Sequence, residues 1–121
     1  MEQTPNSKRY DLEERTYQFA KDVAQFVKTL PKTVANHEYS GQVIRSSGST
    51  GANYIEANEC LGKKDFLMRI RICRKEAKES AYWLKLICET NDGQCDVVGL
   101  KLFNEAVELK KIFSAIYEKS K

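Results

Sequence analysis

The fold is decided by residues 42–87, which read QVIRSSGSTGANYIEANECLGKKDFLMRIRICRKEAKESAYWLKLI. In the second half of this stretch, apolar or small residues recur at an average spacing close to 3.5 residues, the period of helices packed in a left-handed bundle. This pattern predicts a long helix over residues 63–89 with one continuous face toward a core. The core positions are Phe66, Ile70, Cys73, Ala77, Ser80 with Ala81, Leu84, and Ile87 with Cys88.

The first half of the stretch gives conflicting signals. Residues 46–51 are all serine, threonine or glycine, and their helix propensity alone favours a loop. Ile44, Gly48 and Ile55 nevertheless keep helical phase, and no proline occurs within residues 38–61. We therefore predict one helix over 38–61, whose glycines form a contact groove for a neighbouring helix. Two shorter helices broken near Gly48 are the alternative.

Amphipathic patterns on both sides of this stretch add two further helices. Apolar residues recur at helical spacing over residues 11–30 and again over residues 96–118. Asp11 and Asp96 are placed to cap the first turns, and Pro31 ends the first helix because the residue before a proline avoids the α conformation. The complete pattern predicts an all-α bundle of four helices with left-handed packing.

Composition agrees with one all-α domain. The 121 residues include two prolines and six glycines, fewer than the many turns of an all-β fold require. Residues 1–10 lack periodicity and are expected to be flexible, whereas residues 11–121 are expected to form a single domain. No apolar run approaches the roughly 18 residues of a membrane span, and no apolar centre of a secretory signal is present, so we expect a cytoplasmic protein without membrane contact.

The four cysteines do not indicate a metal site. Cys60, Cys73, Cys88 and Cys95 form no C-x-x-C pair, and the single histidine, His37, has no cysteine near it in sequence. Three of the four lie at or beside apolar helical positions, where a free cysteine behaves as a small hydrophobic residue. We therefore expect reduced structural thiols, no metal and no cofactor.

Polar and charged residues follow one face of each central helix, and we call this set the polar seam. If the two helices form a hairpin that turns near Gly62, Arg45 meets Glu79 and Glu56 meets Arg69. We interpret the seam as ion pairs that fix the register of the hairpin. Acid–base catalysis or metal binding by its carboxylates is the alternative; because no nucleophile, phosphate loop or metal-ligand motif accompanies them, we predict no enzyme activity. The seam comprises Gln42, Arg45, Ser49, Asn53 and Glu56 on the second helix, and Arg69, Glu76 and Glu79 on the third.

The third helix also carries a local excess of positive charge. From Lys63 to Lys85 there are eight basic residues and three acids, whereas the net charge of the whole chain is only +3. Such a face can bind the phosphate backbone of a nucleic acid, or it can be an ordinary solvated helix surface. Because no aromatic residue interleaves with it, we expect any binding to depend on charge and shape, with little base specificity. Five residues at helical spacing define this basic stripe: Lys64, Arg71, Arg74, Lys75 and Lys78.

The end of the third helix is apolar on nearly all sides. Six of the seven residues from Tyr82 to Cys88 are apolar, and a helix that is apolar all round must be covered all round. We therefore predict a subunit interface that includes Tyr82, Trp83 and Leu86. The alternative is that other helices of the same chain cover this end.

Four motifs together carry a resemblance to a known family. They are Gln42-x-x-Arg45, Ser49-x-x-x-Asn53-Tyr-Ile-Glu56-Ala, Lys63-Lys-Asp-Phe66 and Lys75-Glu76-Ala-x-Glu79-Ser-x-Tyr82-Trp83-Leu. With the flanking helices, over about residues 10–118, they resemble the bacterial four-helix-bundle family of 23S rRNA intervening-sequence proteins, also called the S23 ribosomal protein family.

The resemblance implies an assembly and a class of partner. Members of this family form an up-down four-helix bundle that assembles into a ring-shaped homopentamer. They are similar to the accessory protein of diversity-generating retroelements, which works with a reverse transcriptase and RNA. RNA is therefore the leading expected partner besides the protein itself, and a scaffold that binds another protein and no nucleic acid is the alternative.

Overall fold

Four helices make up the described part of the chain. The computed structural model describes residues 7–92 and 97–121, with α1 at Ser7–Val27, α2 at Val34–Asn58, α3 at Lys63–Thr90 and α4 at Val98–Ser120. Each helix packs against the next one in sequence, and α1 also contacts α4, which closes the bundle. No strand occurs in these two ranges, so the predicted all-α four-helix bundle is confirmed. None of their helices is both long and apolar enough to cross a membrane.

The first helix is displaced from its predicted bounds. α1 begins at Ser7, four residues before the predicted cap Asp11, and ends at Val27. Beyond Val27 the chain forms a tight turn, in which the Leu30 amide donates to the Val27 carbonyl at 3.3 Å, and Pro31 follows. Residues 1–6 lie outside the described residues, and the division into a flexible segment and one domain stays a prediction. So does the handedness of the helix packing.

The second helix begins earlier than its apolar pattern indicates. α2 starts at Val34 because Thr33 is its N-cap: the Thr33 backbone is extended and its hydroxyl accepts a hydrogen bond from the Asn36 amide at 3.1 Å. The predicted cap of the first helix is not at its start, because Asp11 lies inside α1. α4 begins at Val98, and the predicted cap Asp96 and the predicted turn at Gly93 lie outside the described residues.

The serine- and glycine-rich run is helical throughout. α2 continues through residues 46–51 without a break, so the alternative of two shorter helices is wrong. A Cβ atom added to Gly51 would lie 2.9 Å from Oγ1 of Thr16, which means that only glycine lets α1 approach α2 this closely. Gly48 faces open space, with no atom within 4 Å of such a Cβ. Within this chain, the predicted glycine groove is therefore a contact at Gly51 alone.

The core combines large apolar residues with a layer of small hydroxyls. On α3 the predicted stripe is buried from Ile70 to Ile87, and it packs with residues such as Phe19 and Phe113. The inward face of α2 also supplies three buried hydroxyl side chains, Ser46, Ser47 and Thr50, and α3 contributes the buried hydroxyl of Ser80. The Oγ atoms of Ser46 and Ser80 lie 2.8 Å apart, and the Thr50 hydroxyl donates to the Ser46 carbonyl at 2.8 Å. In the described ranges, every buried side-chain nitrogen and oxygen has a hydrogen-bond partner, so this layer carries no desolvation penalty from unpaired groups.

Polar pairs along α2 and α3 record the register of the hairpin. Ser46 meets Ser80 near its middle, and at the open end the amides of Asn36 and Asn91 donate to each other at 2.7 and 2.8 Å. Both pairs place the turn near Gly62, as predicted from the sequence.

The cysteines follow the prediction only in part. Cys60 and Cys73 are free thiols, and burial raises the pKa of Cys73 to about 12, so its reactive thiolate is scarce at neutral pH. Cys88 is disulfide-bonded, which makes the prediction of a reduced thiol wrong at that position. Cys95 lies outside the described residues.

Candidate nucleic-acid interface

The basic stripe forms one wall of an open groove between α3 and α4. All five predicted residues line this groove, whose volume is about 950 Å³, and Lys110 of α4 adds a sixth cation from the opposite wall. We call it the basic groove. Among the described residues that line it, Asp65 is the only acid, and Leu67, Met68 and Ile72 contribute apolar surface. The topology thus concentrates positive charge from two helices along one concave surface.

The cations of the basic groove are available to a ligand. Lys64, Arg71, Lys75 and Lys78 are exposed and Arg74 is half-buried. Among the ion pairs of the described residues, only Lys75 with Glu76 involves this groove; its N–O distance is 3.6 Å, and the Lys75 side chain remains 62% exposed. An exposed pair of this kind contributes little free energy, so a competing anion displaces it at small cost.

The structure brings an aromatic side chain to the basic stripe, which corrects the expectation that none is present. The guanidinium carbon of Arg74 lies 5.3 Å from the ring centroid of Tyr117, and that of Arg71 lies 6.0 Å from the same centroid. Tyr117 lines the groove from α4 and packs against the core. In the sequence, its helical spacing indicated only a core position, because the pairing of α3 with α4 that places it under the arginines is a tertiary contact.

The polar seam is not the set of ion pairs that the sequence predicted. Neither Arg45 with Glu79 nor Glu56 with Arg69 forms an ion pair in the structure, and Arg45, Glu56 and Glu79 are exposed. The reason is geometric: Ser46 and Ser80 occupy the centre of the α2–α3 contact, so the longer charged side chains lie at its outer edge, where water solvates them.

One contact of the seam does cross the hairpin. The half-buried Arg69 donates from Nη1 to Oδ1 of Asn53 at 2.8 Å, and the Asn53 amide nitrogen donates to Oγ and to the carbonyl of Ser49, both at 2.9 Å. Register is therefore marked here by an amide and a guanidinium rather than by opposite charges. Gln42 is exposed. The carboxylate of the half-buried Glu76 pairs with Lys75, which lies outside the seam, at 3.6 Å.

The carboxylates of the seam are not gathered into a metal-binding group. Across residues 7–92 and 97–121, no group of three or more histidine, cysteine, aspartate or glutamate side chains is placed to hold a metal ion.

The predicted interface residues lie on a partly exposed aromatic surface. Tyr82 is 59% exposed, whereas Trp83 and Leu86 are half-buried. Trp83 is covered from within the chain, by Tyr39 of α2 at a centroid distance of 5.9 Å and by Tyr82, whose ring is nearly perpendicular to it, at 5.0 Å. Packing within the chain thus explains much of the burial of Trp83, whereas most of the Tyr82 side chain stays exposed.

A second groove, which the sequence analysis missed, lies between α1 and α4. We call it the acidic groove, because five acids and two bases line it: Asp11, Glu14, Asp22, Glu105 and Glu108, with Arg15 and Lys101. Arg15 bridges the two helices, donating from Nε and Nη2 to the Glu105 carboxylate at 2.7 and 2.9 Å. These hydrogen bonds raise the pKa of Arg15 further above its ordinary value. The acids on one face of the first helix could have indicated this groove in the sequence. Their partners on α4 could not be identified without the fold.

Three comparisons with known proteins bear on this arrangement. The sequence pattern of the family described as 23S rRNA-intervening sequence protein matches residues 8–115. A crystal structure from Bacteroides thetaiotaomicron, a protein of unknown function from the S23 ribosomal protein family, is similar to this chain at 28% identity and a TM-score of 0.73; the match covers 87% of this chain and 96% of that one. No curated protein matches the sequence.

Proposed function

Because this chain belongs to the family of 23S rRNA-intervening sequence proteins, we propose that it is a non-enzymatic protein that binds RNA through the basic groove. One observation carries the proposal: cations from two helices line a single concave surface with one acid among them. Phosphate contacts of this kind provide most of the sequence-independent affinity for nucleic acids. No catalytic family matches the chain, and nothing in its described residues points to an enzyme.

Assembly into a ring-shaped homopentamer is part of the same proposal. The family resemblance supports it. The exposure of Tyr82 supports it as well, because a single chain leaves this aromatic ring in contact with water and a neighbouring subunit would cover it. Repetition of the basic groove around a ring would place several phosphate-binding surfaces on one particle, which raises avidity for a long RNA without any new contact. We place this assembly in the cytoplasm, where RNA is accessible.

A protein-interaction scaffold is the second candidate, favoured by the same surface. Tyrosine and tryptophan are enriched at the energetic centres of protein interfaces, and Tyr82 with Trp83 forms such a pair beside Leu86. In this case the aromatic surface would bind a partner protein and the basic groove would be a solvated face.

RNA binding separates the two candidates. We would measure the affinity for a fluorescently labelled structured RNA at about 50 and 200 mM salt, and determine the molar mass by light scattering after size exclusion. We expect a pentamer whose affinity falls about 100-fold between the two salt concentrations, since each phosphate contact releases counterions. Binding that is undetectable at 50 mM salt, with the pentamer intact, would favour the scaffold.

A matched pair of double variants locates the binding surface. Lys75→Glu with Lys78→Glu reverses two charges in the basic groove. Lys21→Glu with Lys28→Glu makes the same change in net charge at two exposed positions outside it, one in α1 and one in the turn that follows α1. We expect the first variant to lose about 100-fold in RNA affinity and the second less than about threefold. Equal losses would mean that net charge, and not this groove, attracts RNA.

A further inference from the structure

The basic groove contains more than positive charge. Tyr117 is half-buried and anchored in the core, and the two arginines of the stripe lie over its ring at 5.3 and 6.0 Å. The lysines of the groove have no such support. An arginine held against an aromatic ring is fixed in position by the interaction of its cation with the ring, so Arg74 presents its flat guanidinium group in a defined place.

A flat guanidinium over a tyrosine ring is suited to a nucleobase. Proteins recognise unpaired bases by stacking them on aromatic rings or on guanidinium planes, and lysine provides no such plane. Stacking is available only to unpaired nucleotides, because in a duplex the faces of the bases are covered by their neighbours.

The apolar lining of the groove points to the same class of ligand. Met68 is 53% exposed, and Leu67 and Ile72 lie with it among the cations. The outside of an RNA duplex presents charged phosphates and hydroxylated sugars, which gain nothing from apolar surface. An unpaired strand presents phosphates and base faces together, and so matches both components of the groove.

We infer that the basic groove takes single-stranded RNA, with the Arg74–Tyr117 pair as the stacking platform for an unpaired base and the lysines as contacts to the backbone. This inference rests on the proposed RNA binding at the same groove and specifies its ligand. It replaces the expectation from the sequence that binding depends on charge and shape alone.

Three labelled RNAs test the inference on the full-length protein: an unstructured 12-nucleotide strand, a duplex of 12 base pairs, and an abasic strand of 12 nucleotides with the same phosphates. We expect the unstructured strand to bind about tenfold tighter than the abasic strand, since stacking one base commonly changes affinity by that order. We expect the duplex, despite its larger charge, to bind no tighter than the unstructured strand.

Two variants assign the effect to the platform. Arg74→Lys keeps the charge and removes the plane, and Tyr117→Leu keeps an apolar anchor in the core and removes the ring. Each substitution is expected to lower the affinity for the unstructured strand about fivefold to tenfold and to change the affinity for the abasic strand less than twofold. Lys75→Arg, elsewhere in the groove, is the control and is expected to change neither. Arg74 is not one of the core residues, so Arg74→Lys is informative even if the Tyr117→Leu variant does not fold.

The outcomes distinguish this inference from the function on which it rests. Equal affinity for the abasic and unstructured strands, or an equal effect of Arg74→Lys on both, would overturn base stacking and leave phosphate binding in place. Failure of all three RNAs to bind at about 50 mM salt would overturn the proposed function and the inference with it.

Discussion

The two grooves that flank α4 use their charged residues in opposite ways. In the acidic groove, the central cation Arg15 is held by two short hydrogen bonds to Glu105 and joins α1 to α4. In the basic groove, only Lys75 has a carboxylate partner among the described residues, and that contact is long and exposed. The comparison indicates that the first groove holds the bundle closed, whereas the second leaves its charges for a ligand.

The difference arises from the two flanks of one helix. Glu105 and Glu108 of α4 face α1, whereas Lys110 and Tyr117, which lie about two helical turns apart, face α3. The packing of α4 against both neighbours therefore separates acids from bases. A surface can be specialised in this way without any change of fold, and substitutions on the two flanks of α4 provide direct tests.

The largest effect is expected at the joint between α1 and α2. Gly51→Leu would force a side chain against Thr16, since even a Cβ atom at this position would lie only 2.9 Å from the Thr16 hydroxyl oxygen. Overpacking of this kind lowers the free energy of unfolding by about 2 kcal/mol. Gly48→Leu is the matched control: it faces open space and should stabilise the helix by up to about 0.8 kcal/mol. Chemical denaturation measures both. Equal effects would contradict the close approach of α1 to α2.

RNA affinity should differ between the flanks of α4 by about tenfold. Lys110→Glu reverses a charge in the basic groove, and Lys101→Glu makes the same change in the acidic groove of the same helix. We expect about a tenfold loss for Lys110→Glu and less than twofold for Lys101→Glu, because only the first removes a phosphate contact. Titration of labelled RNA measures both affinities. A larger loss for Lys101→Glu would contradict RNA binding in the basic groove.

The smallest effect is expected from the bridge across the acidic groove. Glu105→Gln should lower the unfolding free energy by about 0.5–1 kcal/mol, since a bidentate exposed pair lies at the upper end of surface ion pairs. Glu118→Gln, which breaks the exposed contact with Lys121, should change it less, and neither should alter RNA affinity. A strong effect of Glu105→Gln on RNA affinity would remove the distinction between a closing groove and a binding groove.

The periodicity of the sequence was enough to predict most of the fold and part of the candidate site. The buried stripe of α3 and the unbroken α2 followed from apolar phase, even where local propensity opposed it. The basic stripe was likewise predictable, because its residues lie on one helix. Tyr117 was not, since it joins the stripe only through the packing of α4 on α3.

The polar seam shows why a correct register did not give the correct contacts. The prediction treated the face through Arg45 and Glu56 as the one that meets α3. The inward face is the one through Ser46 and Thr50, whose small hydroxyls are satisfied by neighbouring carbonyls and by Ser80. Small polar residues resemble loop or surface residues in a hydropathy pattern, so hydropathy alone does not place them inside.

The bridge between Arg15 and Glu105 also bears on the order of folding. It joins residues 90 positions apart, whereas the hairpin of α2 and α3 is built from neighbours in sequence. Contacts between distant positions form late, because closing a long chain costs more conformational entropy than closing a short one. We therefore expect the contact between α1 and α4 to form last. In a pulse-labelling experiment, the amides of these two helices should acquire hydrogen-exchange protection after those of α2 and α3. Earlier protection of α1 would contradict this order.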